Sequence, residues 1–264
     1  AIPFTLLVLG LGLTLLLGLR NSTPGWTIAV ISLLSIALGS LWAINSWDYP
    51  VYLSIILVML FMGIRTAHRL LIGSVLAVSV SLLSILAFLP FHIHYKVFGN
   101  LIDVSKWQTP IENFLAIHML FILVISIFLI YLAQRSFKSL FLQTKQISHT
   151  LTNLRKTSWR APISITSETI IVSFSLLVAA YFLFVGYRTA ALLTILLGLA
   201  TLAFRDQTQN PNASKGYIIF PIVIAGLAFL IGITVEFVRI GDDIGRMNTV
   251  FKLYLDGWIL LGLA

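Results

Sequence analysis

Apolar residues fall in nine separate stretches along this chain, and short polar intervals divide them. A helix that crosses a bilayer needs about 17 to 25 mostly apolar residues, and most of the stretches reach that length. The third stretch is short and opens with Pro50, which suits the first turn of a helix because its missing N–H is not needed there. The pattern therefore predicts an all-α, polytopic bundle of about nine transmembrane helices. The predicted segments are 2–19, 26–44, 50–64, 70–90, 113–133, 168–186, 188–204, 217–236 and a ninth that begins at Val250.

Composition supports an integral, multi-pass protein of the cell membrane. Of the 264 residues, 59% are hydrophobic and 10% are charged, whereas soluble domains carry about 25% charged residues. The chain has no cysteine, which excludes disulfides and thiolate metal sites. A net charge of +8 could indicate nucleic acid, but basic cytoplasmic loops explain it in a membrane protein. We therefore expect membrane lipid, and no nucleic acid, as a partner.

The distribution of charge predicts the orientation. One set of alternate loops holds eleven cations and one acid, whereas the other set holds six cations and six acids. The positive-inside rule places the first set in the cytoplasm and the amino end outside. The basic segment 134–160 is expected to be a cytoplasmic loop against anionic headgroups. Residues 1–264 are predicted to form a single transmembrane domain, because no internal repeat or low-complexity tract divides them. The chain is expected to be a fragment of a longer polypeptide, because it starts without methionine, is apolar from Ile2 and stops inside an apolar run.

Four polar elements lie on the predicted outer side, and the fourth is Asp256 within the ninth segment. Asn45, Trp47 and Asp48 precede the third helix, where a carboxylate is favoured by the helix dipole, and a plain N-terminal cap is the alternative. His92 and His94 would point the same way in an extended chain and could contribute two metal ligands, although interfacial hydrogen bonding is the simpler interpretation.

The third cluster covers residues 236–252. Glu236 and Asp243 could bind a divalent cation or act as a general base. Arg246 and Lys252 suit a phosphate group. The alternative is a neutralising network of salt bridges without a ligand.

Ionisable residues inside the apolar segments have simpler interpretations. Asp256 follows Lys252 by four residues, which predicts an ion pair within one helix. His118 is expected to form a hydrogen bond between helices, and Glu168 to lie in the first turn of its helix. The sequence has no P-loop, no Rossmann glycine pattern, no Gly-x-Ser-x-Gly and no His-Glu-x-x-His, so the usual signs of nucleotide binding and hydrolysis are missing.

Several of these residues together resemble the YYY membrane protein family, an uncharacterised family of bacterial and archaeal polytopic proteins. Family members usually carry a Gly-Asp-x-His-Pro-His motif just before a segment similar to residues 1–5, and at position 256 a glutamine is expected instead of Asp256. The residues that carry the resemblance are Asn45, Trp47, Asp48, Pro50, Tyr52, 89–91, 109–118, Glu236, Asp243, 246–252, Tyr254 and Trp258.

The resemblance implies a protein similar to GT-C-type glycosyltransferases, which take sugars from polyprenyl-phosphate carriers at the outer face. Asp48, Glu236 and Asp243 would then be catalytic, and Mg²⁺ or Mn²⁺ at Glu236 and Asp243 is the cofactor considered. A non-enzymatic, lipid-binding subunit of a membrane complex is the alternative, and a transporter is the third hypothesis. The expected substrate-binding residues are Asn45, Trp47, Arg246, Asn248, Lys252 and Tyr254.

Overall fold

A computed structural model describes residues 1–18, 23–61, 67–96, 102–153, 166–209, 215–240 and 245–264. The described residues are almost all helical, which confirms the predicted all-α fold. Two three-residue strands also pair in a small sheet. The elements are α1 (Ile2–Gly18), α2 (Pro24–Ile44), α3 (Asp48–Phe61), α4 (Ala67–Ala87), α5 (Leu89–His94), β1 (Ile102–Val104), α6 (Ile111–Leu132), α7 (Gln134–Asn153), α8 (Ser167–Val185), α9 (Arg188–Gln209), α10 (Lys215–Phe237), β2 (Val238–Ile240) and α11 (Met247–Leu263).

Local sequence signals set several helix ends. Thr23 precedes α2, and its side chain accepts a hydrogen bond from the backbone N–H of Trp26 at 3.3 Å. Thr166 caps α8 in the same way through Thr169. Gly186 ends α8 with a left-handed φ of 97°, a conformation that glycine adopts without steric cost. These caps satisfy backbone groups that a helix end leaves without partners.

Six helices in the described part of the chain are long and apolar enough to cross a membrane. They lie within α2, α4, α6, α8, α9 and α10, and α1 and α3 are shorter apolar helices. Each of the nine predicted segments coincides with a helix, α11 being the last. The multi-pass architecture is therefore confirmed, while nine crossings and the outward amino end stay predictions.

The chain divides into two compact units. Unit 1 contains residues 1–102 and 240–256, and unit 2 contains residues 103–239 and 257–264. Both units are built from the same kind of apolar helix. The expectation that residues 1–264 form a single domain stays a prediction. In unit 1, α2 packs against α1, α3 and α4. A Cβ on Gly39 of α2 would collide with the carbonyl oxygen of Ser84 in α4, so the small residue permits this close approach.

Unit 2 is organised around α9. This helix packs against α6, α7, α8 and α10. It is the least apolar of the six candidate spans and also the one with the largest buried share. Its buried side chains are mainly small, as in a helix that neighbours approach closely on several sides.

Two expectations about local structure are wrong. Residues 134–153 of the predicted cytoplasmic loop 134–160 form helix α7, because polar and apolar residues alternate there with helical periodicity. Residues 154–160 lie outside the described residues, and the cytoplasmic placement of the segment stays a prediction. Residues 89–94 form the short helix α5 rather than an extended segment. Successive residues of a helix are about 100° apart, so the side chains of His92 and His94 leave the backbone in nearly opposite directions. The pair therefore lacks the shared direction that a two-ligand metal site requires.

The predicted orientation can be tested on this cysteine-free chain with single cysteines at two exposed positions. We expect Lys106→Cys to react with a membrane-impermeant maleimide in intact cells, and Lys145→Cys to react after permeabilisation alone, because the positive-inside rule puts residue 145 in the cytoplasm. Labelling is read as a mass shift. The reverse pattern would invert the topology.

Candidate functional site

The most distinctive polar arrangement in unit 1 joins α3 to α11. Asp48 and Tyr52 lie four residues apart on α3, and Lys252 and Asp256 lie four residues apart on α11. Residues at this spacing share one helix face. Asp48 interacts electrostatically with Lys252, and Tyr52 interacts with Asp256. We call these four residues the α3–α11 ladder, with an Asp48–Lys252 rung and a Tyr52–Asp256 rung.

Asp48 occupies the first position of α3 and is 3% exposed. The side-chain amide of Asn45 donates a hydrogen bond to its Oδ1 atom, and the Asp48 N–H donates to the carbonyl oxygen of Asn45 at 3.0 Å. The partial positive charge at the start of a helix also stabilises a carboxylate there. Asp48 is therefore a cap-like carboxylate, but it is buried and faces a cation on another helix, which a simple cap does not require.

The second rung contains two buried polar atoms that lack hydrogen bonds. Tyr52 Oη and Asp256 Oδ2 have no hydrogen-bond partner among the described residues. Tyr52 is 0% exposed and Asp256 is 3% exposed. The buried side chain of Thr5 lies beside Tyr52, but its hydroxyl donates to the carbonyl oxygen of Ile2 at 2.8 Å. Tyr52 and Asp256 therefore face each other as two buried polar groups, each with an atom that lacks a well-formed hydrogen bond within the described residues.

The expected ion pair within α11 is wrong. No salt bridge joins Lys252 to Asp256 in the described part of the chain. Lys252 interacts electrostatically with Asp48 instead, and Asp256 interacts with Tyr52 and Asp48. Sequence reasoning therefore missed Tyr52 and Asp256 as a site. The signal was the matching i,i+4 spacing in two distant segments, but a pairing of α3 with α11 cannot be read from either segment alone.

Other residues predicted to bind substrate lie around the start of α11. Arg246 directly precedes this helix and is 8% exposed, although arginine side chains in proteins are mostly exposed. Asn248 is exposed, and Tyr254 is 8% exposed. Asp243 lies outside the described residues. The predicted role of Asp243 as a catalytic residue and metal ligand therefore stays a prediction.

Aromatic residues cover the end of unit 1 near Asp48. Trp42 packs against the rings of Tyr49 and His92, with centroids 4.4 and 4.8 Å apart. The Tyr49 hydroxyl lies 2.9 Å from Ser84 Oγ. Trp47 is half-buried beside Asp48 in sequence. His92 thus belongs to an aromatic cluster, and His94 Nδ1 lies 2.7 Å from the carbonyl oxygen of Pro90 within α5.

Glu236 belongs to unit 2 and is 0% exposed. Its Oε2 atom accepts a hydrogen bond from the backbone N–H of Thr109 at 2.9 Å, and its Oε1 atom accepts one from the Thr109 hydroxyl. Thr109 is held in turn by Thr189, whose hydroxyl donates to the Thr109 carbonyl oxygen at 2.8 Å. These bonds give Glu236 an evident structural role. Its predicted convergence with Asp48, and its catalytic and metal-binding roles, stay predictions.

The comparisons with known proteins place the chain in a family. A model of the uncharacterized membrane protein family DUF2298 matches residues 1–261. The chain belongs to this family. Membership confirms the predicted assignment to an uncharacterised family of membrane proteins. No curated protein and no solved structure matched the chain.

In this DUF2298 chain, Arg239 follows Glu236 by three residues in the sequence and forms an ion pair with Asp103. Arg239 Nε donates to Asp103 Oδ2 at 3.0 Å, and Arg239 Nη2 contacts the same oxygen. The hydrogen bond from Arg239 lowers the pKa of the Asp103 carboxyl below its ordinary value. The pair joins β1 to β2, and Ser105 extends this connection by donating its N–H to the Phe237 carbonyl oxygen at 2.9 Å.

A second buried polar cluster in unit 2 was not predicted as a unit. Asp206 Oδ2 accepts from the Ser136 N–H at 2.8 Å, and Asp206 Oδ1 accepts from the Ser136 hydroxyl at 2.6 Å. Arg205 forms a 2.6 Å salt bridge with Glu168. Glu168 does lie in the first turn of α8, as the sequence indicates. His118 is buried, stacks on Phe114 and lies 3.1 Å from the Phe114 carbonyl oxygen in its own helix.

Metal ligands do not gather in the part of the chain that the structure describes. Within the described ranges, no group of three or more His, Asp or Glu side chains could hold a metal ion. A site for Mg²⁺ or Mn²⁺ that includes Asp243 stays a prediction. The candidate site is therefore the α3–α11 ladder, which is defined by its own four side chains.

Proposed function

We propose that this protein is a membrane-embedded transferase that moves a sugar from a polyprenyl-phosphate donor to an acceptor hydroxyl at the outer face. The observation that carries the proposal is the Tyr52–Asp256 rung. Nearly all buried polar groups in proteins are hydrogen-bonded, so two adjacent exceptions suggest a place for a ligand. A neutralising salt-bridge network would instead leave its members paired.

The charges around the rung suit a phosphate donor. Lys252 is half-buried next to Asp48, and Arg246 is buried at the start of the same helix. Two cations in a site of low dielectric bind phosphate strongly, arginine through its fork and lysine as a point charge. Asp48, fixed by Asn45, would hold Lys252 in position. The lipid part of the donor would lie along the apolar helices.

The chemistry follows from these positions. Asp256 Oδ2 would accept the proton of the acceptor hydroxyl, while Tyr52 Oη holds the same hydroxyl by a hydrogen bond. The acceptor oxygen then forms a bond to the anomeric carbon, and the bond from that carbon to the donor phosphate oxygen breaks. The leaving phosphate takes the electron pair, and Arg246 and Lys252 stabilise its charge.

We expect Arg246→Ala and Lys252→Ala each to lower sugar transfer by about 100-fold or more, because each removes a cation that stabilises the leaving phosphate. The assay uses full-length protein in liposomes with a panel of radiolabelled polyprenyl-phosphate sugars. Lys96→Ala is the matched control, because Lys96 is an exposed cation of unit 1 that belongs to neither rung.

A thermal melt of each variant in detergent separates loss of function from loss of fold. Folded variants that transfer sugar at the wild-type rate would remove the proposed phosphate role. A non-enzymatic assembly subunit or a transporter predicts no transfer from any donor in the panel, even by the wild-type protein.

A further inference from the structure

Helix α7 has two different sides. Ser136 and Gln143, seven residues apart, are buried on one side. On the rest of the described surface, Phe137, Phe141 and Leu142 are 40%, 70% and 64% exposed. An aromatic side chain that is 70% exposed to water is unfavourable unless something apolar covers it.

The exposed side of α7 is also basic. Arg135, Lys138 and Lys145 are all exposed, and residues 134–153 include no Asp or Glu. On a helical projection, Phe137 and Phe141 lie on one flank of the exposed side. The three cations lie on the other flank, and Leu142 lies among these cations. A helix with an apolar flank and a basic flank is typical of one that lies in the plane of a membrane interface.

Buried hydrogen bonds attach this helix to the ends of two candidate spans within unit 2. Asp206, in the last turn of α9, accepts from both the N–H and the hydroxyl of Ser136. Gln143 Oε1 accepts from the hydroxyls of Thr166, at 3.0 Å, and Thr169 at the start of α8. Because both attachment points are span ends, α7 lies at the level where lipid headgroups begin.

We propose that the exposed side of α7 binds the anionic phospholipid surface of the adjoining leaflet. Phe137, Phe141 and Leu142 enter the boundary between headgroups and acyl chains, and Arg135, Lys138 and Lys145 contact lipid phosphates. The combination favours lipid over nucleic acid or a soluble protein, since the basic and apolar flanks are adjacent and held at span ends. This inference is independent of the proposed transferase activity.

The first test measures depth in the bilayer. A nitroxide on Phe141→Cys, unique because the chain has no cysteine, is compared with one on Lys106→Cys, an exposed control. The full protein is reconstituted in vesicles of phosphatidylcholine, alone or mixed with phosphatidylglycerol. We expect the residue 141 label to be accessible to dissolved oxygen and protected from an aqueous nickel complex, and the control to show the reverse. A residue 141 label that the nickel complex reaches as readily as the control would overturn the proposal.

The second test measures the charge requirement. The triple variant Arg135→Gln, Lys138→Gln and Lys145→Gln should retain about fivefold less phosphatidylglycerol than wild type in native mass spectrometry. The matched control replaces three exposed cations elsewhere, Lys96, Lys106 and Arg188, by glutamine. Equal retention by the two triple variants would overturn the assignment of anionic lipid to α7.

Discussion

Glu236→Ala should be among the most destabilising single substitutions in unit 2, lowering the free energy of unfolding by about 3 to 5 kcal/mol. The Glu236 side chain is fully buried and accepts hydrogen bonds from both the backbone N–H and the hydroxyl of Thr109. Its removal leaves two donors of the half-buried Thr109 without these acceptors, each at a cost of about 1 to 3 kcal/mol, and opens a cavity as well.

The measurement is chemical or thermal unfolding of the purified protein in detergent. Glu236→Gln should lose less than the alanine variant, because the amide oxygen still accepts one of the two bonds. Glu112→Ala is the control: Glu112 is an exposed first-turn carboxylate of α6, and its helix-dipole contribution is about 0.3 to 1 kcal/mol. Equal losses from both alanine variants would show that the Thr109 contacts contribute little.

Asp256→Asn should have the opposite effect on stability while removing activity. The carboxyl group of Asp256 is buried, and its Oδ2 atom has no hydrogen-bond partner among the described residues. An amide of the same shape removes a buried ionisable group, so we expect the free energy of unfolding to rise by about 1 to 2 kcal/mol. Sugar transfer should fall by about 100-fold or more, because an amide cannot accept the acceptor proton.

A second buried aspartate gives a matched comparison. Asp206 is as buried as Asp256, but both of its oxygens accept hydrogen bonds from Ser136. Asp206→Asn should therefore destabilise the protein, since the amide NH₂ group meets a donor and one bond is lost. If Asp256→Asn destabilised the protein as much as Asp206→Asn does, Asp256 would have a structural role and the proposed proton acceptor would be ruled out.

Much of the fold could be predicted from local sequence, because long apolar runs bounded by polar residues encode transmembrane helices directly. The error at α7 has a physical reason. Its charged and hydroxyl residues indicate solvent exposure, but exposure does not distinguish a loop from a surface helix, and the helical spacing of Ser136, Leu140 and Gln143 was the informative signal.

The candidate site was harder to predict, because its parts are distant in sequence. Asp48, Arg246 and Lys252 could be recognised individually from residue type and position. Glu236 accepts hydrogen bonds from Thr109, 127 residues away in the sequence. The contact between Tyr52 and Asp256 depends on which helices pack together. The pair His92 and His94 shows the same limit, since the inference depended on the wrong backbone conformation.

The central position of α9 in unit 2 has a consequence for biosynthesis. A segment enters the lipid phase from the translocation channel according to its own apolarity, and α9 is the weakest of the six candidate spans in this respect. It also has the largest buried share of the six candidate spans, and it packs against both of its sequence neighbours, α8 and α10. Efficient insertion of α9 should therefore require these flanking helices to be made and retained beside it, so that three segments leave the channel as one cooperative group.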